Sequence, residues 1–315
     1  MMKTSTRNDY LDRIRRVLRF VQVHLDEPLT PDRLAAVANL SMYHFHRIFS
    51  GLVGESLSEY VRRMRLERAA GELVRTDQQV VDIALRAGYD AHEPFTRAFR
   101  GHFGVPPSAF RKTAEPLAFP SALCGVHFGP DEAVSRFVPL QEDSHMIDVR
   151  IDTLPTRRLL AFAHHGDYQG IGACFDRVFA AAGALGLLGP DTVALGIYYG
   201  DPDITPVEEL RSHACVSIPD ARMLDTLPEG FELLTLDGGE FAIGIHKGPY
   251  RTLHESYRWL FGQWLPSSGR EPANVPVHEI YVNDKESVPE AELITHICLP
   301  LVPASVAASV ESVGS

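Results

Sequence analysis

Phe45, Arg47, Phe49, Gly54 and Ser58 recur as Phe95, Arg97, Phe99, Gly104 and Ser108, fifty residues further along the chain. A framework repeated at a constant offset means one supersecondary unit built twice. Just upstream the offset is 49, Ala35 matching Ala84, so one extra residue sits in the second turn. Each copy reads as two short helices joined by a turn. Thr30 can cap the first helix with Pro31 at its first position, and Leu34, Ala35 and Ala38 turn inward. Ser41 caps the next helix, residues 42–50, with Phe45, Ile48 and Phe49 inward and Tyr43, His44, His46 and Arg47 on its other faces.

An apolar helical stripe, Leu11, Ile14, Val17, Leu18, Val21 and Leu25, precedes the first copy. Between the copies the spacing predicts a helix from about Ser56 to Arg75, buried through Leu57, Tyr60, Val61, Met64, Leu66, Ala69 and Leu73. Twenty helical residues span roughly 30 Å, close to the ~34 Å repeat of major-groove faces along B-DNA. Such a rod can hold two helices in adjacent grooves. Charge agrees with this reading. The 315 residues carry a net charge of −11, yet residues 1–115 hold 18 Lys and Arg against 14 Asp and Glu. The remainder holds 12 against 27, so the acidity belongs to a second part with another job. The phenylalanines are expected in the core, where they cannot serve as stacking platforms for bases.

The strings "LAAVANLSMYHFHRIF", "EYVRRMRLERA" and "DIALRAGYDAHEPFTRAFRGHFGVPPSAFR" resemble the AraC/XylS family of transcription regulators over roughly residues 10–113. The resemblance implies that the helices beginning near Met42 and Ala91 enter the major groove. By position it implies that Tyr43, His46 and Arg47 face DNA in the first unit, and His92, Glu93, Thr96 and Arg97 in the second. Arginine suits guanine O6 and N7, and a glutamate can accept from cytosine N4. Arg100, Arg62 and Arg63 are expected to meet phosphate or solvent. Pro94 departs from the pattern, and its place in the first turn predicts a helix that starts late or tilts, which would withdraw Glu93.

Residues 114–146 lose helical periodicity, carry four prolines, and read as a linker or a partly ordered docking segment. Leu117, Phe119, Leu123, Val126 and Phe128 argue that it packs on a neighbour. From Ile147 a second duplication begins. His164, Gly166, Tyr168, Phe175 and Phe179 match His246, Gly248, Tyr250, Tyr257 and Phe261 at an offset of 82, and Ile197-Tyr198 matches Ile280-Tyr281. Each copy is a strand, a His-x-Gly-x-Tyr turn, an amphipathic helix and a further strand. The fold expected overall is multidomain: an all-α double helix-turn-helix domain (1–113), a linker (114–146), an α+β domain of two repeated strand-helix-strand modules (147–303), on two sheets or one shared sheet, and a disordered tail (304–315).

Glu279 in "PVHEIYVND" breaks this symmetry with a carboxylate among apolar strand residues, where the first copy has Gly196. On a strand Val277, Glu279 and Tyr281 share a face, and patterns break at sites. The layout resembles the GyrI-like effector-binding domain over residues 147–303. That resemblance implies a glutamate in an aromatic pocket that meets lipophilic or cationic ligands. To it we add Tyr198, Trp259 and Phe162 as expected walls, with Tyr257 and His164 as weaker candidates. An exposed edge-strand position for Glu279 is the competing reading. His164 and His165 point to opposite faces and cannot share a metal, and no metal or cofactor is expected. The four isolated cysteines suggest a reducing, cytoplasmic setting. The N-terminus lacks an apolar signal core, and no apolar run reaches the roughly 20 residues of a membrane span. The expected function is sequence-specific transcriptional regulation through a double-stranded operator, a small-molecule effector and RNA polymerase, not enzymatic. The alternatives are a C-terminal hydrolase or a protein-binding module.

Overall fold

The computed structural model describes residues 3–112, 119–129, 134–141, 146–202, 205–224 and 226–304. The tail expected over 304–315 lies, Ala304 apart, outside them. The chain divides into two compact units, one of residues 7–141 and one holding the remainder.

Among the described residues the helical unit is built on seven α-helices: α1 (Lys3–Val23), α2 (Pro31–Ala38), α3 (Met42–Val53), α4 (Leu57–Arg75), α5 (Val80–Arg86), α6 (His92–Phe103) and α7 (Pro107–Phe110). Thr30 caps α2, its side chain accepting from the Arg33 amide at 3.4 Å. Ser56 and Glu59 form a reciprocal capping box on α4, with Ser56 N–H donating to Glu59 Oε2 at 2.9 Å and Glu59 N–H to Ser56 Oγ at 3.2 Å. The fifty-residue repeat holds in detail. Phe45 and Phe49 are 5.9 Å apart in one core, Phe95 and Phe99 5.5 Å apart in the other. Gly54 and Gly104 close α3 and α6 at φ of 83° and 79°, a left-handed conformation that side chains resist.

Pro94 does not delay α6. The helix starts at His92, which makes Pro94 its third residue. The first four helical amides have no intrahelical acceptor, so the missing N–H costs no bond. The carbonyl its ring would strike, that of Asp90, lies outside the helix.

The second unit is one eight-stranded antiparallel sheet, not two sheets. Its strands are β1 (Asp148–Leu154), β2 (Arg157–His165), β3 (Ala194–Tyr198), β4 (Arg211–Ile218), β5 (Phe231–Leu236), β6 (Gly239–Lys247), β7 (Val277–Tyr281) and β8 (Ile294–Pro300), in the order β1-β6-β8-β7-β3-β4-β2-β5. The two copies, β2-α8-β3-β4 and β6-α9-β7-β8, meet at the central β3–β7 pair; α8 is Gly172–Ala184 and α9 is Leu253–Trp259. Each copy is therefore a strand, a helix and two strands, one strand more than the expected module. The edges are exchanged. β1, ahead of the first copy, pairs with β6 of the second, and β5, ahead of the second, pairs with β2 of the first.

The duplicated histidine explains the turn that follows each first strand. His246 joins Ser256 Oγ through Nδ1 at 2.8 Å and the Pro249 carbonyl through Nε2 at 3.3 Å. His164 repeats this with Cys174 Sγ at 3.6 Å and the Asp167 carbonyl at 2.9 Å. Each ring pins its turn to the start of the next helix, and His164 has this structural task in place of a pocket wall.

Candidate functional site

Two sites emerge, one on each unit. On α6, His92, Glu93, Arg97 and Arg100 are exposed and Thr96 is half-buried, while Phe95 and Phe99 are fully buried. Glu93, Arg97 and Arg100 fall on one helical face turned away from the phenylalanines, Thr96 borders that face, and His92 is in the exposed first turn above Phe95. Thr96 Oγ1 lies 3.5 Å from His92 Nε2, which ties the first turn of that face together. On α3, Tyr43 and Arg47 are half-buried. His46 differs from the expectation: it is 4% exposed, edge-on to Phe45 at 5.3 Å, and burial pushes its imidazole down to about 4. As the chain stands, this ring is not presented to a ligand.

Arg63 is also misplaced by sequence reasoning. It is buried instead of facing phosphate or solvent, and binds Glu55, Glu67 at 3.1 Å and the Val126 carbonyl at 2.7 Å. Arg62, one residue earlier, is exposed as expected.

The second site lies at the seam of the repeated sheet. β7 is flanked by β3 and β8, so Glu279 sits on a central strand and not at an edge. Its partner across the seam is Gly196, the residue it matches in the repeat. The carboxylate is 5% exposed. Tyr257 of α9 donates to Oε1 at 2.9 Å, Tyr281 donates to Oε2 at 2.9 Å, and the Tyr198 and Tyr281 hydroxyls are 2.6 Å apart. Tyr198 lies flat over Gly196, where a Cβ would come within 2.8 Å of its ring. The glycine is therefore what admits the ring. Tyr168 packs edge-on against Tyr198 at 4.8 Å, Tyr250 against Tyr281 at 5.5 Å, and Phe175 of α8 against Tyr281 at 5.3 Å. Burial first, then the Glu279 charge, raises the Tyr198 and Tyr281 hydroxyls well above their ordinary range, so both stay protonated donors.

Of the four expected residues, Glu279 and Tyr198 come together, and Tyr257 joins them. Trp259 does not, and Phe162 packs against the core cluster that holds Tyr198, with Tyr168 and Phe175, but several strands from Glu279. α8 packs on β2 and β4 through Cys174, Val178 and Ala182; Phe175 leaves it toward Tyr281, while Arg177 covers Phe162 at 4.4 Å. Phe162, paired with Phe231 at 5.0 Å, is thus on the far flank of α8. Trp259 follows Tyr257 by two residues, about 200° around the helix, and no ring contact joins it to this cluster among the described residues.

Sequence reasoning missed Tyr168, Tyr250, Tyr281 and Phe175. The repeat itself held the signal. Tyr168 and Tyr250, Phe175 and Tyr257, and Tyr198 and Tyr281 are aromatic in both copies, whereas Phe162 corresponds to Gly244 and Trp259 to Arg177. Residues related by the repeat converge where the copies meet.

Comparison with known proteins agrees with both units. Residues 34–113 match a helix-turn-helix domain model, and residues 147–302 match the GyrI-like small molecule binding domain. The right origin-binding protein of Escherichia coli (strain K12) is 28% identical over 261 residues, 80% of this chain and 84% of that protein. The transcriptional regulator Rob of Salmonella typhimurium is 38% identical over 139 residues, 43% of this chain and 47% of its own. The transcriptional activator AarP of Providencia stuartii is 36% identical over 98 residues, 31% of this chain and 73% of its own.

Proposed function

We propose that this chain, which belongs to the AraC-type helix-turn-helix transcription regulators and carries a GyrI-like small-molecule-binding domain, senses a lipophilic cation at Glu279. The observation that carries the reading is a carboxylate 5% exposed among aromatic rings. An anion in such a place favours a counter-charge. The Tyr257 and Tyr281 phenols, neutral donors, meet its two oxygens at 2.9 Å each. A delocalised organic cation gains attraction from ring faces as well as from the carboxylate, and its apolar body suits the Phe175 and Tyr250 walls.

We read the domain as a sensor and not as a hydrolase. Its two histidine-nucleophile pairs, His246–Ser256 and His164–Cys174, are committed to holding turns, and Ser256 is fully buried. A thermal-shift screen of the whole chain against lipophilic cations and their neutral isosteres tests the ligand class, and incubation of each hit followed by mass analysis tests turnover. Stabilisation by cations without turnover is expected; equal response to neutral isosteres would remove Glu279 from the reading.

On the DNA-facing unit we assign base or phosphate contact to Tyr43, Arg47, His92, Glu93, Thr96, Arg97 and Arg100, with RNA polymerase as the machinery on which the regulator acts and the cytoplasm as its setting. No helix among the described residues is long and apolar enough to cross a membrane. Arg97→Ala is expected to weaken binding to a duplex selected by the wild-type chain by ~1–3 kcal/mol and to relax the preference at one base position. A gel-shift titration with unchanged affinity would reject that assignment.

A further inference from the structure

Residues 114–146 lie between the two family-matched regions, and the parts described up to residue 141 belong to the helical unit. We propose that residues 119–129 and 134–141 form a brace that fixes the spacing of the two recognition helices α3 and α6. The segment is tied to three helices. The Gln22 side chain of α1 donates to the His127 carbonyl at 3.2 Å and accepts from the Gly129 amide at 3.3 Å. At the end of α3, the Leu140 amide donates to the Leu52 carbonyl at 2.8 Å, and Leu123 packs on Gly54. On α4, Arg63 donates to the Val126 carbonyl at 2.7 Å, while Glu67 accepts from the Phe128 amide at 2.7 Å and meets His127 Nδ1 at 3.0 Å.

The brace also reaches the second recognition helix through a shared group. Glu67 is fully buried, and His102 in the last turn of α6 places Nε2 3.9 Å from the same carboxylate oxygen that meets His127. The segment folds on itself through the Val138 amide and the Cys124 carbonyl, 3.0 Å apart, and buries Cys124, Val126 and Phe137. Long helices are rarely straight, and α4 is the longer of the two helices between α3 and α6. A buried ion pair needs its hydrogen bonds complete to offset desolvation. The brace completes them on α4, so its docking and the straightness of the rod depend on each other.

The inference rests on both recognition helices entering one duplex, and the test separates the two claims. A duplex is selected from a random-sequence library with the full wild-type chain, its two half-sites are footprinted, and variants with two base pairs inserted or removed between them are compared. Wild type is expected to lose about tenfold or more on altered spacing, the contribution of one displaced helix. In Gln22→Ala/His127→Ala the affinity for the selected duplex falls and the ratio between spacings flattens toward one. Replacing 119–141 by a Gly-Ser sequence of equal length must flatten it further. An unchanged ratio in that replacement, with α4 amides still protected from exchange, overturns the brace. A footprint covering a single half-site in wild type overturns the two-helix reading itself.

Discussion

Glu279→Gln is expected to weaken binding of a lipophilic cation such as tetraphenylphosphonium at least roughly thirtyfold, within the ~2–5 kcal/mol that truncating one partner of a buried charge pair costs. Glutamine keeps the shape of the side chain and can still accept from Tyr257 or Tyr281, which now donate at 2.9 Å each. The substitution removes charge and little else, so the sheet should keep its fold. A neutral isostere of the same size should bind both proteins alike, since the aromatic walls remain. Calorimetric titration of both ligands into both proteins gives the four affinities. Equal cation affinity in wild type and variant would contradict the assignment of the carboxylate.

Glu67→Ala should destabilise the helical unit by about 3–5 kcal/mol, the cost of breaking a buried ion pair from one side. Three groups lose their acceptor together: the Phe128 amide, His127 and one arm of Arg63. Arg63 keeps Glu55 and the Val126 carbonyl, so its charge is not stranded. Among the described residues the Phe128 amide has no such second partner. Glu67→Gln retains an acceptor oxygen and is expected to cost less than alanine. Hydrogen exchange of α4 amides as a function of denaturant reads the loss within that unit, and a change under about 1 kcal/mol would show that the network adds little to the fold.

The helical half was legible because its determinants are local. Thr30, Ser56, Gly54 and Gly104 act within a turn of their own position, and phenylalanine spacing fixes which helix face is inside. Pro94 was overweighted, since a proline is tolerated throughout the first helical turn. Arg63 could not be placed because its carbonyl partner lies at Val126, sixty-three residues away, in a segment without periodicity. In the sheet, Glu279 stood out as the broken member of a repeated pair, and the register confirms that it faces its own counterpart, Gly196. Phe162 and Trp259 were chosen for residue type, which says nothing of which flank of a helix they occupy. Pairing by the repeat selects Tyr168, Tyr250 and Phe175 instead, because a two-fold arrangement of strands β3 and β7 carries equivalent residues to one seam.

Linkage between the two sites is the most direct test of a ligand-sensing regulator. Affinity for the selected duplex is measured with and without saturating tetraphenylphosphonium, and affinity for the cation with and without saturating duplex. Both are expected to change by the same factor, as reciprocity of coupled sites requires, and Glu279→Gln to abolish both changes. Identical duplex affinity in the presence and absence of a cation shown to be bound would contradict that expectation.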